Sequence, residues 1–491
     1  MGYGPYGYRG GLYQENHLIF IHHHLVHCLV LVWRDFLFRS FIRFQGPSCQ
    51  RIQANQNTGS FLLLLFGPLY RHHAIHHQLR IRSYGGRLRI GLVPTFHDRK
   101  YLLRIPYIQR GKYNEEIDWL RYHGSGIGHD HLIKMKHKKV MISILLFVVL
   151  LIGTASIIFY HPAFGRLPRG ERLERIKRSP NYRDGKFHNI HLTPTTTMKK
   201  GGVQVFWDFF FGKQPDLKPH KSLPTVKTDL LHLDRNEDLV IWFGHSSYLI
   251  QNGGKRFLID PVLTNRFPAS LMFQPFKGTD LYKPEDIPDI DFLIITHEHW
   301  DHLDYYTVKQ LKDRIGTVIC GLGVGEYFEY WGFSPEHIVE MDWYDSYRID
   351  NDCQIYCLPA RHFSNRLLKN AQTLWASFMI DGKQQIYLSG DGGYDTHFAE
   401  IGKGFPQIDL AIMENGQYNE DWRYIHLMPD DLPLAIKDLH PKQVLTVHHS
   451  KYALSKHPWY EPLENIHKAS KPQSYKLLTP MIGEKILDKV P

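Results

Sequence analysis

The 491-residue chain has only 5 cysteines, and no two of them form a CxxC pair. That excludes metal sites of the CxxC type and any dense disulfide framework. Cys353 and Cys357 fall on one expected strand, where four residues span roughly 13 Å, beyond the reach of a disulfide. Cysteine usage therefore says nothing of the redox compartment. Net charge is also missing from most of the chain. The formal total is +10, but residues 1–134 alone carry 17 Lys+Arg against 7 Asp+Glu, so the other 357 residues are neutral. A basic protein ordinarily points to nucleic acid or an anionic surface. A surplus confined to one quarter of the sequence carries no such implication, and no nucleic-acid partner is expected. The length exceeds one compact core and accommodates about two or three units.

The N-terminal quarter lacks helical or strand periodicity. It holds 14 Arg against 3 Lys and 13 of the 32 His, in clusters such as HHHLVH and RHHAIHHQ. We read 1–134 as an upstream extension from a misplaced start, with Met135 or Met141 as the true beginning; a His-rich metal-binding tract is the alternative. Residues 140–160 lack any formal charge over 21 positions, enough at about 1.5 Å per residue to cross a hydrocarbon core of about 30 Å. Lys136, Lys138 and Lys139 precede them as in a signal sequence, but no A-x-A-type cleavage site comes after, so 135–160 is expected to be an uncleaved, single-pass membrane anchor. Arg166, Arg169, Arg172, Arg175, Lys177 and Arg178 lie just beyond it. Positive charge on both flanks leaves the side of the membrane open. Residues 161–235, rich in Pro, Thr and Lys, read as a linker and lead-in, in which the aromatic run FWDFFFG (206–212) is expected to dock on the next domain or to sit at a bilayer interface.

From 236 to 491 the pattern is orderly. LVIWFGHSSYLIQNGGKRFLIDP reads as a strand pair turning at Asn252-Gly253-Gly254. DFLIIT, TVICG, QIYCLPA, WASFMID, QIYLSGD, DLAIME and QVLTVHH read as further strands, with helices at YYTVKQLKDR and PDDLPLAIKDLH, an α/β body. The stretch THEHWDHLD (296–304) places three histidines and two aspartates behind the apolar run DFLII. His297 and His299 are two apart in extended chain, so both imidazoles face one side and can share a metal. Asp301 and His302 come where a helix is expected to begin near Leu303, and aim at a second point a few ångströms away. Imidazole with carboxylate suits zinc better than calcium or magnesium, with manganese or iron left open. His362 after QIYCLPAR, Asp391 after QIYLSG and His448 after QVLTV repeat the placement at strand ends, which collects all of them at one site.

HEHWDH, PARHFS, LSGDGGY and VHHSKYAL, in this order, resemble the motifs of the metallo-β-lactamase superfamily. Within it, FGHSSYLI, FLIDPVL, FAEIGKGFPQIDLAI and HLMPDDLPLAI are most similar to N-acylphosphatidylethanolamine-hydrolysing phospholipase D and its bacterial relatives, over roughly 236–465. The resemblance implies a four-layer αββα sandwich, here preceded by one transmembrane helix, with two zinc ions at one edge. His297, His299 and His362 match ligands of the first zinc; Asp301, His302 and His448 match those of the second; Asp391 matches the bridging carboxylate. It further implies phosphodiester hydrolysis of an N-acylated phospholipid or related lipid by a metal-bridging hydroxide, since zinc brings the pKa of water near neutrality. Asp301 would double as base, and His426 in RYIHLMPDD would act on the departing group; the bland alternative for His426 is a helix-start histidine meeting Asp430 and Asp431. A same-fold hydrolase of a soluble substrate such as a lactone, and a non-catalytic membrane-tethered scaffold, are the competing functions. MENGQY and His449 depart from the mammalian pattern, so Glu414 or His449 is expected to reshape the pocket, and His245 is expected to support the ligands from behind or to shape a turn. The loop 265–278 offers Phe267, Leu271, Met272, Phe273 and Phe276 either as a cap on the sandwich or as a lipid-facing rim beside the site.

Overall fold

The computed structural model describes residues 77–84, 87–94, 126–197, 214–366, 369–471 and 474–487; the aromatic run 206–212 lies outside them. The chain divides into two compact units, 1–122 and 123–491. In the first, β1 (His77–Tyr84) pairs antiparallel with β2 (Arg87–Pro94), setting Leu79 opposite Leu92 and Ile81 opposite Ile90. The N-terminal quarter thus does hold strand periodicity. Apolar residues alternate with arginines through LRIR and RLRI, a signal hidden by the neighbouring histidine clusters.

The second unit opens with α1 (Gly126–Phe159), 34 residues long, or about 51 Å. Its stretch 137–156 has a mean hydropathy of 2.3 and is exposed along its length. Among the described residues it is the one helix long and apolar enough to cross a membrane. The segment beyond this helix is firmly attached to the body. The turn Pro162–Phe164 buries Ala163 and takes a hydrogen bond from Trp331 Nε1 to the Pro162 carbonyl, 2.8 Å. Next, α2 (Gly170–Lys177) sinks Ile176 into the core. Arg172 reaches Glu326, Glu329 and Glu340 at 2.6, 2.8 and 2.7 Å, and Arg166 also meets Glu326. Three of the basic residues behind the apolar helix, Arg166, Arg169 and Arg172, are therefore engaged with acids of the body. After the short hairpin of β3 (Tyr182–Arg183) and β4 (Lys186–Phe187), Phe187 is buried in the same core. This lead-in packs without sustained periodicity because isolated anchors, not a repeating face, hold it.

The body is two seven-stranded sheets. The first contains β5 (Leu239–Trp242), β6 (Tyr248–Asn252), β7 (Lys255–Ile259), β8 (Ile290–Ile295), β9 (Ile315–Gly321) and β10 (Ile338–Met341). The second contains β11 (Ser346–Arg348), β12 (Gln354–Leu358), β13 (Ser377–Asp381), β14 (Gln385–Leu388), β15 (Leu410–Glu414), β16 (Gln443–Val447) and β17 (Lys476–Leu478). Finally β18 (Lys485–Leu487) returns to the edge of the first sheet beside β5. The expected strand pair at 239–260 is a meander of three, because Gly244-His245, both at positive φ, break the run after Trp242 before Gly253-Gly254 turn it again. From β7 to β10 and from β14 to β17 the neighbours are parallel.

Strand alternation builds the layers. On β8, Ile294 faces the other sheet, in a core shared with Ile259, Phe378, Ile412 and Leu445, whereas Leu293 and Ile295 face the helix α3 (Tyr305–Leu311) through Val308 and Leu311. Behind the second sheet, Met379, Ala411 and Val444 meet α5 (His397–Gly404), α6 (Leu432–Leu439) and α7 (Glu461–Ser470), following α4 (Gly325–Tyr330) on the first. The arrangement is an αββα sandwich, as expected. Helix α3 starts at the first residue of YYTVKQLKDR because Asp304 caps it, accepting from Tyr306 N at 3.3 Å and Thr307 N at 3.2 Å.

Candidate metal centre

Every sequence-expected ligand lies just beyond the C-terminal end of a strand: 297–302 after β8, Asp391 after β14 and His448 after β16, where parallel neighbours leave a crevice, and His362 after β12, whose neighbours are antiparallel. Two sets form. His299 Nδ1 lies 2.9 Å from His297 Nε2 and 3.2 Å from His362 Nε2. Asp301 Oδ2 lies 3.6 Å from His302 Nε2 and 3.5 Å from His448 Nε2. Asp391 Oδ2 stands between the sets, 3.2 Å from His302 Nε2, 3.2 Å from His448 Nε2 and 3.9 Å from His297 Nε2. The two triads and the shared carboxylate expected from the sequence are thus brought together.

These donors fit metal. His302 Nε2, His448 Nε2 and Asp391 Oδ1 are buried without a hydrogen-bond partner, each a penalty of about 1–3 kcal/mol that a cation would relieve. Their far sides are tied down, as ligands need. His362 Nδ1 donates to the Ile425 carbonyl at 2.8 Å, and His302 Nδ1 lies 2.8 Å from Asp260 Oδ2. Asp260 also accepts from Thr296 N and Oγ1, at 2.8 and 2.6 Å. The backbone of His362 is gripped by the lead-in: Asn189 Nδ2 donates to its carbonyl at 2.8 Å, and Asn189 Oδ1 accepts from its N–H at 3.1 Å. At Gly416 a Cβ would fall 2.3 Å from the His448 carbonyl oxygen, so only glycine lets the chain after β15 pass that close.

Burial, reinforced by neighbouring imidazoles, holds His297 and His362 well below the usual histidine range; burial also takes His299 to about 4. This set is neutral, with lone pairs available. In the other set burial works the opposite way from the charges, and the charges win. Asp391 and Asp301 push His302 well above its usual value; Asp391, Asp301 and Glu414 carry His448 to about 10. Both carboxyls are held far below theirs against burial, chiefly by His302 and, at Asp391, by His448. Without a cation, two protons therefore sit where positive charge is wanted.

His245 is closer to the centre than expected. Its Nε2 lies 2.9 Å from Asp301 Oδ2, and it belongs with Asp301, His302 and His448 to one group able to share an ion. Its backbone exchanges hydrogen bonds with that of His448-His449, with His245, His448 and Ser450 all at positive φ. His449 does not line the site. Its ring turns inward, 4.9 Å from Trp242, with Nε2 3.1 Å from the Thr446 carbonyl. Glu414 does: its Oε1 meets Nδ1 of His426 and lies 3.1 Å from Nδ1 of His448. The His426 ring stacks 5.5 Å from that of His448. Sequence reasoning misses Asp260 and Asn189; the DP after an apolar run is a signal for the first, and nothing local marks the second.

The loop 265–278 divides in two. Phe273 and Phe276 are 5% and 4% exposed; with Val262, Ala269 and Tyr452, Phe273 forms a small core, on which Trp300 packs. They belong to a cap, not to a rim. Leu271 and Met272 are 69% and 37% exposed. Phe267 contacts His161 at the end of α1, ring centres 5.5 Å apart, and Phe164 contacts Trp300 at 5.0 Å.

Comparison with known proteins gives a match of residues 255–449 to the beta-lactamase superfamily domain. An uncharacterised protein of Mycobacterium bovis is 32% identical over 320 residues, covering 63% of this chain and 85% of the relative. The outer membrane protein RomA of Klebsiella pneumoniae is 57% identical over 95 residues, 19% of this chain and 72% of the relative. N-acyl-phosphatidylethanolamine-hydrolyzing phospholipase D 1 of Caenorhabditis elegans is 29% identical over 244 residues, 46% of this chain and 67% of the relative.

Proposed function

Since the chain belongs to the metallo-β-lactamase superfamily and is a metal-dependent hydrolase of that group, we propose that it is a zinc-dependent phosphodiesterase of phospholipase D type, acting on N-acylphosphatidylethanolamine or a related membrane lipid. One observation carries the lipid substrate: exposed Leu271 and Met272 project from a cap packed against Trp300 of the HEHWDH motif, on the face where the apolar helix α1 ends. The likeness to the nematode phospholipase supports the bond type. In this proposal α1 anchors the chain in the membrane, 135–160 being the anchor and 161–235 the lead-in to the hydrolase domain at 236–491.

Two zinc ions would be held by His297, His299 and His362 and by Asp301, His302 and His448, with Asp391 between them. When bound, they supply Lewis acidity that makes water acidic near neutrality and offsets phosphoryl charge. The protein's own groups do the rest. Asp301, steadied by His245 at 2.9 Å, takes the proton from the attacking water. His426, placed beside the cluster, gives a proton to the head-group oxygen as its bond to phosphorus breaks. Burial of the cluster excludes bulk water from competing for those protons.

Mass-spectrometric profiling of the purified full chain against lipid and lactone panels, with and without zinc, tests this. Zinc-dependent release of a phosphatidic acid from N-acylated phospholipid is expected. Zinc-dependent lactone opening with no phospholipid turnover would overturn the substrate and leave the metal centre in place.

A further inference from the structure

Glu414 is the last residue of β15 and is buried, yet nothing in the expected ligand set uses it. Its two carboxyl oxygens face opposite ways. Oε2 accepts from Gly392 N at 2.8 Å, on the loop beyond Asp391. Oε1 faces two imidazoles at once, meeting His426 Nδ1 and lying 3.1 Å from His448 Nδ1. The second acceptor at His448 Nδ1 is the Gly416 carbonyl at 3.3 Å. With only acceptors around it, that nitrogen holds the ring proton. Once a cation displaces the second ring proton, the lone pair falls on His448 Nε2, which points at Asp301 and Asp391 and has no hydrogen-bond partner. The same oxygen holds one proton of His426 on Nδ1 and turns its Nε2, the nitrogen that carries the proton to be donated, away from Glu414.

We propose that Glu414 is a positioning residue that couples the metal centre to the proton donor, by fixing the Nδ1–H form of both His448 and His426 through one carboxyl oxygen. The proposal rests on taking the cluster as a metal centre and His426 as the acid; it does not depend on which phosphodiester is cleaved. A single group setting both rings explains why a carboxylate occupies the end of a central strand, where burial is costly unless every oxygen is engaged. Loss of Glu414 would then disturb ligation and proton donation together.

Glu414→Gln is a sharp test, because one amide oxygen cannot accept from Gly392 on one side and from two Nδ1–H groups on the other. In either orientation the acceptor shared by the two imidazoles loses its negative charge, and with the NH2 group turned toward them both are driven to the form protonated on Nε2. Zinc affinity, read by chelator competition, is expected to weaken about 10- to 100-fold for one of the two ions, with a changed absorption spectrum in the cobalt-substituted protein. With zinc restored to saturation, kcat on a soluble phosphodiester is expected to stay depressed while KM changes little. His426→Gln should depress kcat as much, leave zinc affinity native, and in the double variant add no further loss beyond that of His426→Gln. Native zinc affinity in Glu414→Gln, full recovery of its kcat at saturating zinc, or multiplying losses in the double variant would each overturn the coupling. If Glu414→Gln does not fold, the zinc-loaded native protein decides. In 15N-histidine spectra the His426 signal, assigned by its loss in His426→Gln, should show a proton on Nδ1; a neutral ring protonated only on Nε2 refutes the assignment. The affinity, cobalt and 15N measurements need no substrate, so failure to cleave lipid would count against the substrate alone.

Discussion

Replacing Leu271 and Met272 with serine removes the two apolar side chains that the cap presents to its surroundings. Full burial of a leucine or methionine is worth about 1.5–3 kcal/mol. Leu271 is 69% and Met272 37% exposed, so their transfer into the acyl region contributes at most about 1–2 and about 0.5–1 kcal/mol. Their sum, about 1.5–3 kcal/mol, corresponds to roughly a 10- to 100-fold change in apparent affinity. The full chain in vesicles should therefore need a mole fraction of N-acylated phospholipid higher by up to that factor to reach half-maximal rate. Hydrolysis of a short, water-soluble phosphodiester in detergent should be unchanged, as should zinc content and thermal midpoint, because neither side chain supports the core. Phe273→Ser, at a position only 5% exposed, should instead lower the thermal midpoint and impair both substrates, costing about 3 kcal/mol or more. Equal losses on both substrates for the Leu271/Met272 variant, or none on vesicles, would refute the lipid-facing role of this loop.

Elemental analysis of the purified chain should give about two zinc ions, and no stoichiometric transition metal would end the metal-centre assignment. Asp391→Asn removes the charge shared by both sets and should cut activity by about 100-fold or more with the fold retained by circular dichroism; turnover near that of the parent would sink the bridging role. Zinc binding should expel protons at pH 7, since the raised values of His302 and His448 mean both rings are protonated when no cation is present. Affinity should then rise with pH, by up to about tenfold per unit for each proton displaced, until His448 loses its proton near 10. Calorimetry in buffers of different ionisation enthalpy reads this, and zero proton release would contradict it. A chain starting at Met135 should express and turn over like the full chain; protease resistance of 1–134 together with a requirement for it would show the extension to be genuine.

The metal cluster is legible because its chemistry is concentrated: HEHWDH supplies four ligands from one strand end, and three more stand behind recurring strand signals. Period-2 alternation likewise foretells the sandwich, since Ile294 and its neighbours on β8 must face opposite layers. The features that escape depend on contacts that no local pattern encodes. Asp260 meets His302 across 42 residues, and Asn189 meets His362 across 173. Glu414 stands out in sequence only as an odd residue in MENGQY, because its partners become visible when β15 and β16 lie side by side. The cap is legible only in part: Phe273 and Leu271 look alike in sequence, and the cap's fold turns only one of them outward. The lead-in, without a repeating apolar face, gives no sign of its separate anchors.

Those anchors decide where this protein can be divided. Because Ile176 and Phe187 sit in the sandwich core and Asn189 grips the backbone of His362, trimming the chain to the first strand of the two sheets, at Leu239, would open the interior and loosen a ligand together. A version without the apolar stretch has to be cut upstream of Pro162, in the helix itself. By the same token, a protease that nicks the exposed surface between 190 and 197 would not free the body from its helix, since the clasp of Arg166 and Arg172 on the glutamates of α4 lies on the helix side of the nick and still joins the two.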